Sequence, residues 1–215
     1  MKRVFWSLLA VGACLFVSSI SGVTADETLS FKILVLKTWT PPAIEGVRKC
    51  PICGTMLLAQ SDREDEGAKL FDVLVNQRLR SVDSCDFIYP QADEGALFSL
   101  DDSSQNEKLK QLARKYETRA VLYPVLLRFR EMVGNKYAVS SPSAVAFHIY
   151  LLDAEKLKVL WRAYYFEEQQ PLSSNLLKVR LIWKRKVQWV NARRLLEDGL
   201  ESAFNRFPRC GGESR

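Results

Sequence analysis

Three runs of alternating apolar residues predict the centre of the fold. They cover positions 120–130, 144–152 and 158–166. A period of two places such residues on one face of a strand, where a sheet can bury them. The apolar sets are Val121, Tyr123, Val125, Leu127 and Phe129, then Val145, Phe147, Ile149 and Leu151, then Val159, Trp161, Ala163 and Tyr165. A short polar linker over 153–158 suits a hairpin, and a longer linker over 131–143 carries the turn signals Gly134-Asn135 and Pro142. We therefore predict an antiparallel β-meander.

Three further segments repeat apolar residues every three or four positions, the spacing of an amphipathic helix. They are Ala68, Phe71, Leu74, Val75 and Leu79, then Leu109, Leu112, Ala113 and Tyr116, then Leu195, Leu196, Gly199, Leu200, Ala203, Phe204 and Phe207. Asn191 is a suitable N-cap for the last helix. Residues 31–37 add a strand, and 85–90 a short strand or an extended arm. The pattern predicts an α+β fold, with a mixed, largely antiparallel sheet and a C-terminal meander flanked by amphipathic helices.

The first 25 residues have the features of a secretory signal peptide. Lys2 and Arg3 precede an uncharged, mostly apolar run, and small residues stand before a cleavage position after Ala25. A membrane anchor is the alternative interpretation, since the apolar run is close to the minimum length of a span. We predict export to the periplasm, a single domain over 26–207 and a flexible tail over 208–215.

Cys14 supports a second interpretation of the same segment. It follows Ala10-Val-Gly-Ala, which resembles the motif that bacteria use to attach lipid to an N-terminal cysteine. The apolar residues directly after Cys14 are unusual for such a motif, and a cysteine in an apolar segment can be simply a small hydrophobe. Cys14 is therefore the lipidation candidate, with an outer-membrane tether as its consequence.

Composition indicates an ordinary globular domain. The chain has 215 residues, 47% of them apolar and 26% charged, with a formal net charge of +6. Loss of Lys2 and Arg3 with the signal peptide leaves +6 − 2 = +4. This mild charge and the lack of a nucleic-acid-binding motif argue against a nucleic-acid partner.

The motif Cys50-Pro-Ile-Cys53-Gly54 is the sharpest local signal, and three interpretations stay open. In an exported protein, Cys50, Cys53, Cys85 and Cys210 are an even set of disulfide candidates with three possible connectivities. The same four residues could instead converge as zinc ligands, the one possible cofactor. Finally, Cys50 and Cys53 could be a redox pair, which is most reactive at a helix N-terminus. We favour disulfides because a second Cys-x-x-Cys is missing.

The sequence does not contain a recognisable catalytic motif. His148 is the only histidine, and it lies on the opposite face of its predicted strand from Phe147 and Ile149. We interpret it as a hydrogen-bonded structural residue. Nucleotide-binding loops, nucleophile elbows and His-Glu-x-x-His are all missing. We predict that the protein is not an enzyme.

A basic and aromatic stretch over 178–194 supplies the interaction candidates. They are Lys184, Arg185, Lys186, Trp183 and Trp189. Basic groups attract anionic partners and tryptophan is common at interfaces. A solvated connection whose tryptophans plug the edge of the core is the alternative.

The meander resembles a group of bacterial envelope lipoproteins. The resemblance lies in residues 120–134, which end in Arg-Phe-Arg-Glu-Met-Val-Gly, in 141–147, in Leu-Leu-Asp at 151–153, in Val-Leu-Trp at 159–161 and in 169–176. The group's fold is similar to the N-terminal domain of the Tol translocation protein B, the curli-secretion lipoprotein and the outer-membrane activators of penicillin-binding proteins. The resemblance implies a binding protein without catalytic residues.

These observations together predict an exported, non-enzymatic envelope protein. It would bind another envelope protein or a cell-wall component, or assist in its assembly. A periplasmic thiol-disulfide oxidoreductase that uses Cys50 and Cys53 is the alternative function.

Overall fold

The computed structural model describes residues 32–59, 63–82, 85–91, 100, 102–134, 139–169 and 190–210. In these ranges the strands are β1 (Lys32–Val35), β2 (Val47–Lys49), β3 (Met56–Leu58), β4 (Asp86–Ile88), β5 (Ala120–Arg130), β6 (Val133–Gly134), β7 (Val139–Ser141), β8 (Ala144–Asp153) and β9 (Val159–Glu168). The helices are α1 (Glu64–Leu79), α2 (Ser103–Lys115) and α3 (Ala192–Phe204). Within these ranges, no helix is long and apolar enough to cross a membrane. The predicted signal peptide, Cys14 and the five interaction candidates lie outside them.

Five strands form one mixed sheet in the order β4-β1-β5-β8-β9. The long pairings, β5 with β8 and β8 with β9, are antiparallel, so the predicted meander is confirmed. The short strand β1 runs parallel to both β4 and β5. Two small hairpins, β2–β3 and β6–β7, stand apart from the sheet. The architecture confirms the predicted α+β class.

The sheet is covered on both faces. Helices α1 and α3 pack on one side, which we call the helix face, around Phe71, Phe147 and Leu196. Helix α2 and the β2–β3 hairpin pack on the other side, which we call the hairpin face, around Leu109 and Tyr123. Because β5 and β8 lie in the middle, their residues are buried on both faces. The sequence pattern predicts that one face of these strands is buried, and the structure shows that the other face is buried as well.

Two shifts in strand register change the face of the sheet on which some of the predicted core residues pack. The register of β5 against β8 shifts between Leu126 and Arg128. This bulge adds one residue, so Leu127 packs on the hairpin face but Phe129 packs on the helix face. The predicted alignment of Phe129 with Leu127 is wrong for this reason. A second shift, where β8 meets the start of β9, places Val159 on the hairpin face, apart from the other three residues of its predicted set.

A helix cap and a disulfide stabilise the C-terminal part of the fold. The side chain of Asn191 accepts a hydrogen bond from the backbone N–H of Arg194 at 2.9 Å, so the predicted cap of α3 is confirmed. Cys85, directly before β4, forms a disulfide with Cys210. The first residues of the predicted flexible tail are thus tied to the edge of the sheet.

The close approach of α3 to the sheet depends on Gly199. A Cβ atom at this position would lie 2.6 Å from the ring of Tyr165 and 2.8 Å from that of Phe147. We expect Gly199→Ala to destabilise the protein, because an overpacking cost of about 1–3 kcal/mol exceeds the roughly 1 kcal/mol gain in helix propensity. Chemical denaturation measures the change. Ser202→Ala, on the exposed side of α3, is the control and should change stability by less than about 0.5 kcal/mol. A Gly199→Ala variant as stable as the wild type contradicts this packing.

Candidate metal centre

The β2–β3 hairpin presents the two cysteines of the Cys-x-x-Cys motif in its turn. The backbone N–H of Cys50 donates to the carbonyl of Thr55 at 2.8 Å, and that of Gly54 donates to the carbonyl of Cys50 at 3.0 Å. Gly54 has a φ of +73°, a conformation that side chains disfavour. The glycine thus allows the tight turn that brings both thiols to one side.

Directed polar contacts hold the hairpin against the sheet. The buried guanidinium of Arg48 donates to the carbonyl of Leu127 at 3.2 Å. From the sheet, Arg128 Nε donates to the carbonyl of Leu58 at 3.1 Å, and its Nη1 pairs with Glu168 at 2.9 Å. Leu127 is the bulged residue of β5 and Arg128 follows it, so the bulge presents a carbonyl and an arginine to the hairpin.

The central strand β8 supplies two further polar groups to the same place. His148 and Tyr150 are two residues apart, so both side chains point to the hairpin face. His148 is 6% exposed and Tyr150 is fully buried. On the neighbouring strand, Tyr164 is paired with His148, and the two rings lie 4.3 Å apart between centroids.

The thiols, the imidazole and the phenol form one compact cluster. Cys53 Sγ lies 3.5 Å from His148 Nδ1, and Cys50 Sγ lies 3.2 Å from Tyr150 Oη. Tyr150 Oη is also 3.2 Å from His148 Nδ1. The two sulfur atoms and a ring nitrogen of His148 all lie within 4.8 Å of one another. Residues about 100 positions apart in sequence therefore meet in one site.

The surroundings give the two thiols different acidities. Burial raises the pKa of Cys50, although the backbone N–H groups of Cys53 and Ile52 donate hydrogen bonds to its sulfur. Burial acts in the same direction on Cys53, but hydrogen bonds with Thr55 and Tyr150 outweigh it and lower the pKa of Cys53 to about 7. Cys53 is thus exposed and readily ionised, whereas Cys50 is buried and harder to ionise.

Burial also shifts the pKa values of His148 and Tyr150, the two polar groups of β8. It lowers the pKa of His148 to about 4, so the imidazole is neutral at pH 7 and can accept with one nitrogen. Burial, together with hydrogen bonds to both cysteines, raises the pKa of Tyr150. In the metal-free protein the phenol therefore keeps its proton.

The donor set fits a zinc ion. Zinc is typically bound by thiolates and neutral imidazoles, and here two cysteines from one tight turn and one histidine supply them. Backbone N–H groups directed at a cysteine sulfur favour its ionised form. Tetrahedral zinc with bonds of about 2.3 Å to sulfur and about 2.0 Å to nitrogen places those two atoms about 3.5 Å apart. The separation of Cys53 Sγ and His148 Nδ1 is 3.5 Å, so this pair needs little movement to hold the ion.

The structure brings together only part of the predicted cysteine set. Cys85 and Cys210 are bonded to each other, and Cys50 and Cys53 are free thiols. The four cysteines therefore do not converge as one zinc site, and His148 joins Cys50 and Cys53 instead. The Cys-x-x-Cys motif lies in a hairpin turn, not at the helix N-terminus that favours a redox pair.

Sequence reasoning missed the roles of His148 and Tyr150. The interpretation of His148 as a hydrogen-bonded residue agrees with its contacts to Tyr150 and Cys53, but the sequence pattern does not connect it with the cysteines and does not single out Tyr150. The available signal was their spacing, because two polar-tipped residues two positions apart share one face of a strand. The pattern did not show that this second face is buried or that the cysteine hairpin covers it.

Comparisons with known proteins give distant likenesses of fold. Neither the protein-family models nor the curated proteins contain a match. Among solved structures, the chain is similar to a PelC dodecamer from Paraburkholderia phytofirmans, with 16% identity over 80% of this chain and 85% of that one and a TM-score of 0.43. It is also similar to lipoprotein GNA1162 from Neisseria meningitidis, with 14% identity over 72% and 96% of the two chains and a TM-score of 0.38.

The LpoB C-terminal domain from Salmonella enterica is a third similar structure, with 14% identity, coverage of 69% and 87%, and a TM-score of 0.32. The resemblance to envelope lipoproteins expected from the sequence is confirmed to the extent that such proteins are among the structures found. At these identities and TM-scores, no function is inferred from them.

The different acidities of the thiols predict selective alkylation. In reduced, metal-free protein at pH 7, iodoacetamide should modify Cys53 at least about 10-fold faster than Cys50, because about half of Cys53 is thiolate near its pKa of about 7. The Cys53 rate should reach half of its maximum near pH 7 and level off about two pH units higher, where nearly all of the thiol is ionised. Peptide mass spectrometry measures both rates, and unmodified Cys85 and Cys210 verify that the reductant has left their disulfide intact. Equal rates, or faster reaction of Cys50, contradict this description of the site.

Proposed function

We propose that this chain is an exported protein of the bacterial envelope that binds a zinc ion through Cys50, Cys53 and His148 and acts by binding, not by catalysis. The observation that carries the metal proposal is the convergence of three zinc-type donor atoms within 4.8 Å. The two sulfurs come from one hairpin turn and the nitrogen from the central strand. Such an arrangement links two parts of the chain that are distant in sequence.

The metal has a structural role in this proposal. Strands β2 and β3 have three residues each, and two-stranded hairpins of this size are marginal alone in water. The outer residues Met56 and Leu58 are exposed, and the hairpin adds only Cys50, Ile52 and Leu57 to the apolar core of the hairpin face. A zinc ion shared between the turn and β8 would fix the hairpin over the hairpin face of the sheet.

The geometry favours metal binding over thiol-disulfide exchange. A redox cysteine is usually activated at a helix N-terminus and faces its substrate. Here one thiol of the pair, Cys50, is fully buried against Tyr150, and Cys53 faces an imidazole that is a good zinc ligand.

Export and partner binding are supported by other features of the chain. The N-terminal segment has the pattern of a signal peptide, with Cys14 as a possible lipid tether. The Cys85–Cys210 disulfide suits an oxidising compartment. The outer side chains of β9 expose apolar surface, with Leu160, Tyr164 and Phe166 each about half accessible. An envelope protein or a cell-wall component is the proposed partner.

The metal proposal predicts one zinc ion per chain. Protein purified under reducing conditions and dialysed against zinc should contain one equivalent by elemental analysis, and Cys53→Ser and His148→Ala should lose most of it. Zinc should also raise the free energy of unfolding of the wild type, by about 2.7 kcal/mol when its concentration is 100 times the dissociation constant. Denaturation with and without zinc measures this difference.

Ser202→Ala is a suitable control because this exposed residue lies on α3, which covers the opposite face of the sheet from the site, and the variant should keep the full zinc content. Circular dichroism shows whether each variant is folded. Zinc-free wild-type protein, or protein from the native envelope with a Cys50–Cys53 disulfide, contradicts the metal proposal.

The partner proposal is tested by charge reversal in the basic stretch. Replacing Lys184, Arg185 and Lys186 by glutamate should reduce capture of the envelope partner at least about 10-fold, because the long-range attraction of the three positive charges is reversed. Pull-down from envelope extracts at two salt concentrations measures the change. The matched control reverses Lys108, Lys110 and Lys115 on α2. Equal capture by wild type and variant disproves this role for the basic stretch.

A further inference from the structure

The three proposed ligands leave one tetrahedral position to be filled. Structural zinc sites are almost always four-coordinate. Among the residues that the structure describes, the cluster of histidine, cysteine and carboxylate groups holds only Cys50, Cys53 and His148. The fourth ligand must therefore be of another kind or come from outside the described residues.

Tyr150 Oη lies where a fourth ligand is needed. It is 3.2 Å from Cys50 Sγ and 3.2 Å from His148 Nδ1, and it also hydrogen-bonds with Cys53. An oxygen ligand about 2.0 Å from tetrahedral zinc would lie about 3.5 Å from a sulfur ligand and about 3.3 Å from a nitrogen ligand. Both measured separations are within a few tenths of an ångström of these values.

We infer that Tyr150 supplies its phenolic oxygen as the fourth ligand, which completes a Cys₂-His-Tyr site; this inference rests on the proposed function. The tyrosine is fully buried and its ring is held by edge-on contacts with His148 and Tyr164, at centroid distances of 6.0 and 5.9 Å. Its hydroxyl therefore stays in the cluster. The inner side of the site is closed by a protein group, and Cys53 is its exposed member.

Ligation changes the protonation of Tyr150. The phenolic O–H bond breaks, its proton goes to solvent, and the oxygen forms a bond to the metal with its electron pair. The competing arrangement keeps the proton, and the hydroxyl donates it to a cysteine sulfur as an outer hydrogen bond. The two arrangements differ by one released proton for each metal ion bound.

The experiment titrates reduced, metal-free protein with cobalt(II) and zinc(II). It compares the wild type with Tyr150→Phe and with Tyr165→Phe, a control that removes a phenol on the helix face of the sheet, where its hydroxyl donates to Glu167. Tyr150→Phe should bind at least about 10–100-fold more weakly, the range seen even when an outer partner of a ligand is lost. At a pH about one unit below the Cys53 pKa of about 7, where that thiol is protonated in both proteins, it should release one proton fewer per metal ion, and its cobalt absorption spectrum should differ. Tyr165→Phe should match the wild type in all three measurements.

A measurement on the wild type alone tests the assignment of Tyr150 even when the Tyr150→Phe variant does not fold. Zinc addition should produce the ultraviolet difference band of one tyrosinate per chain. Equal proton release and identical cobalt spectra in wild type and Tyr150→Phe, or no tyrosinate band, overturn the assignment of Tyr150 while the zinc site stands. A wild-type chain that binds neither metal overturns the proposed function itself, so the two failures are distinct.

Discussion

The antiparallel pairing of β5 with β8 is the interaction on which the rest of the structure depends. The two strands share ten residue pairs, and nearly all of their side chains are buried on both faces. The inter-strand hydrogen bonds satisfy backbone groups that would be costly to bury unpaired. Strands buried on both faces require two covering layers. Helices α1 and α3 supply one, and α2 with the β2–β3 hairpin supplies the other.

This constraint explains why a polar cluster lies inside the fold. The alternation of β8 that sends Phe147 and Ile149 to the helix face sends His148 and Tyr150 to the hairpin face. A polar group buried without a partner costs on the order of 1–3 kcal/mol. Here the imidazole and the phenol satisfy each other and meet the two thiols of the hairpin turn. Burial of β8 thus determines both the position of the site and the need for a polar covering element.

Sequence periodicity is sufficient for the long strands and the helices, but not for the short hairpins β2–β3 and β6–β7 or for the tertiary details. The meander and all three amphipathic helices could be predicted because periods of two and of three to four residues report local geometry. The bulge at Leu127 could not, because the apolar run before it does not distinguish the two faces of the strand, and the alternation of Arg128, Phe129 and Arg130 after it is regular in either register. The Cys-x-x-Cys motif was recognisable, but its partnership with His148 is not, since 95 positions separate Cys53 from His148 and the pairing depends on how the hairpin docks. For the same reason, three disulfide connectivities were equally allowed, although the structure joins Cys85 to Cys210.

The hairpin differs from the other covering elements in how it is attached. Helices α1 and α3 are held by rows of buried apolar residues, whose stabilisation grows with the area removed from water and depends little on direction. The hairpin is too small to be held by apolar burial alone. The hydrogen bonds of Arg48 and Arg128 and the contacts of its two cysteines attach it to the sheet. Directed bonds fail when one partner moves by an ångström, whereas apolar packing can adjust. A metal ion at Cys50 and Cys53 would therefore act on the least adaptable part of the fold, and its loss would loosen the cover over Tyr150 and Val125 while leaving the β5–β8 pairing intact.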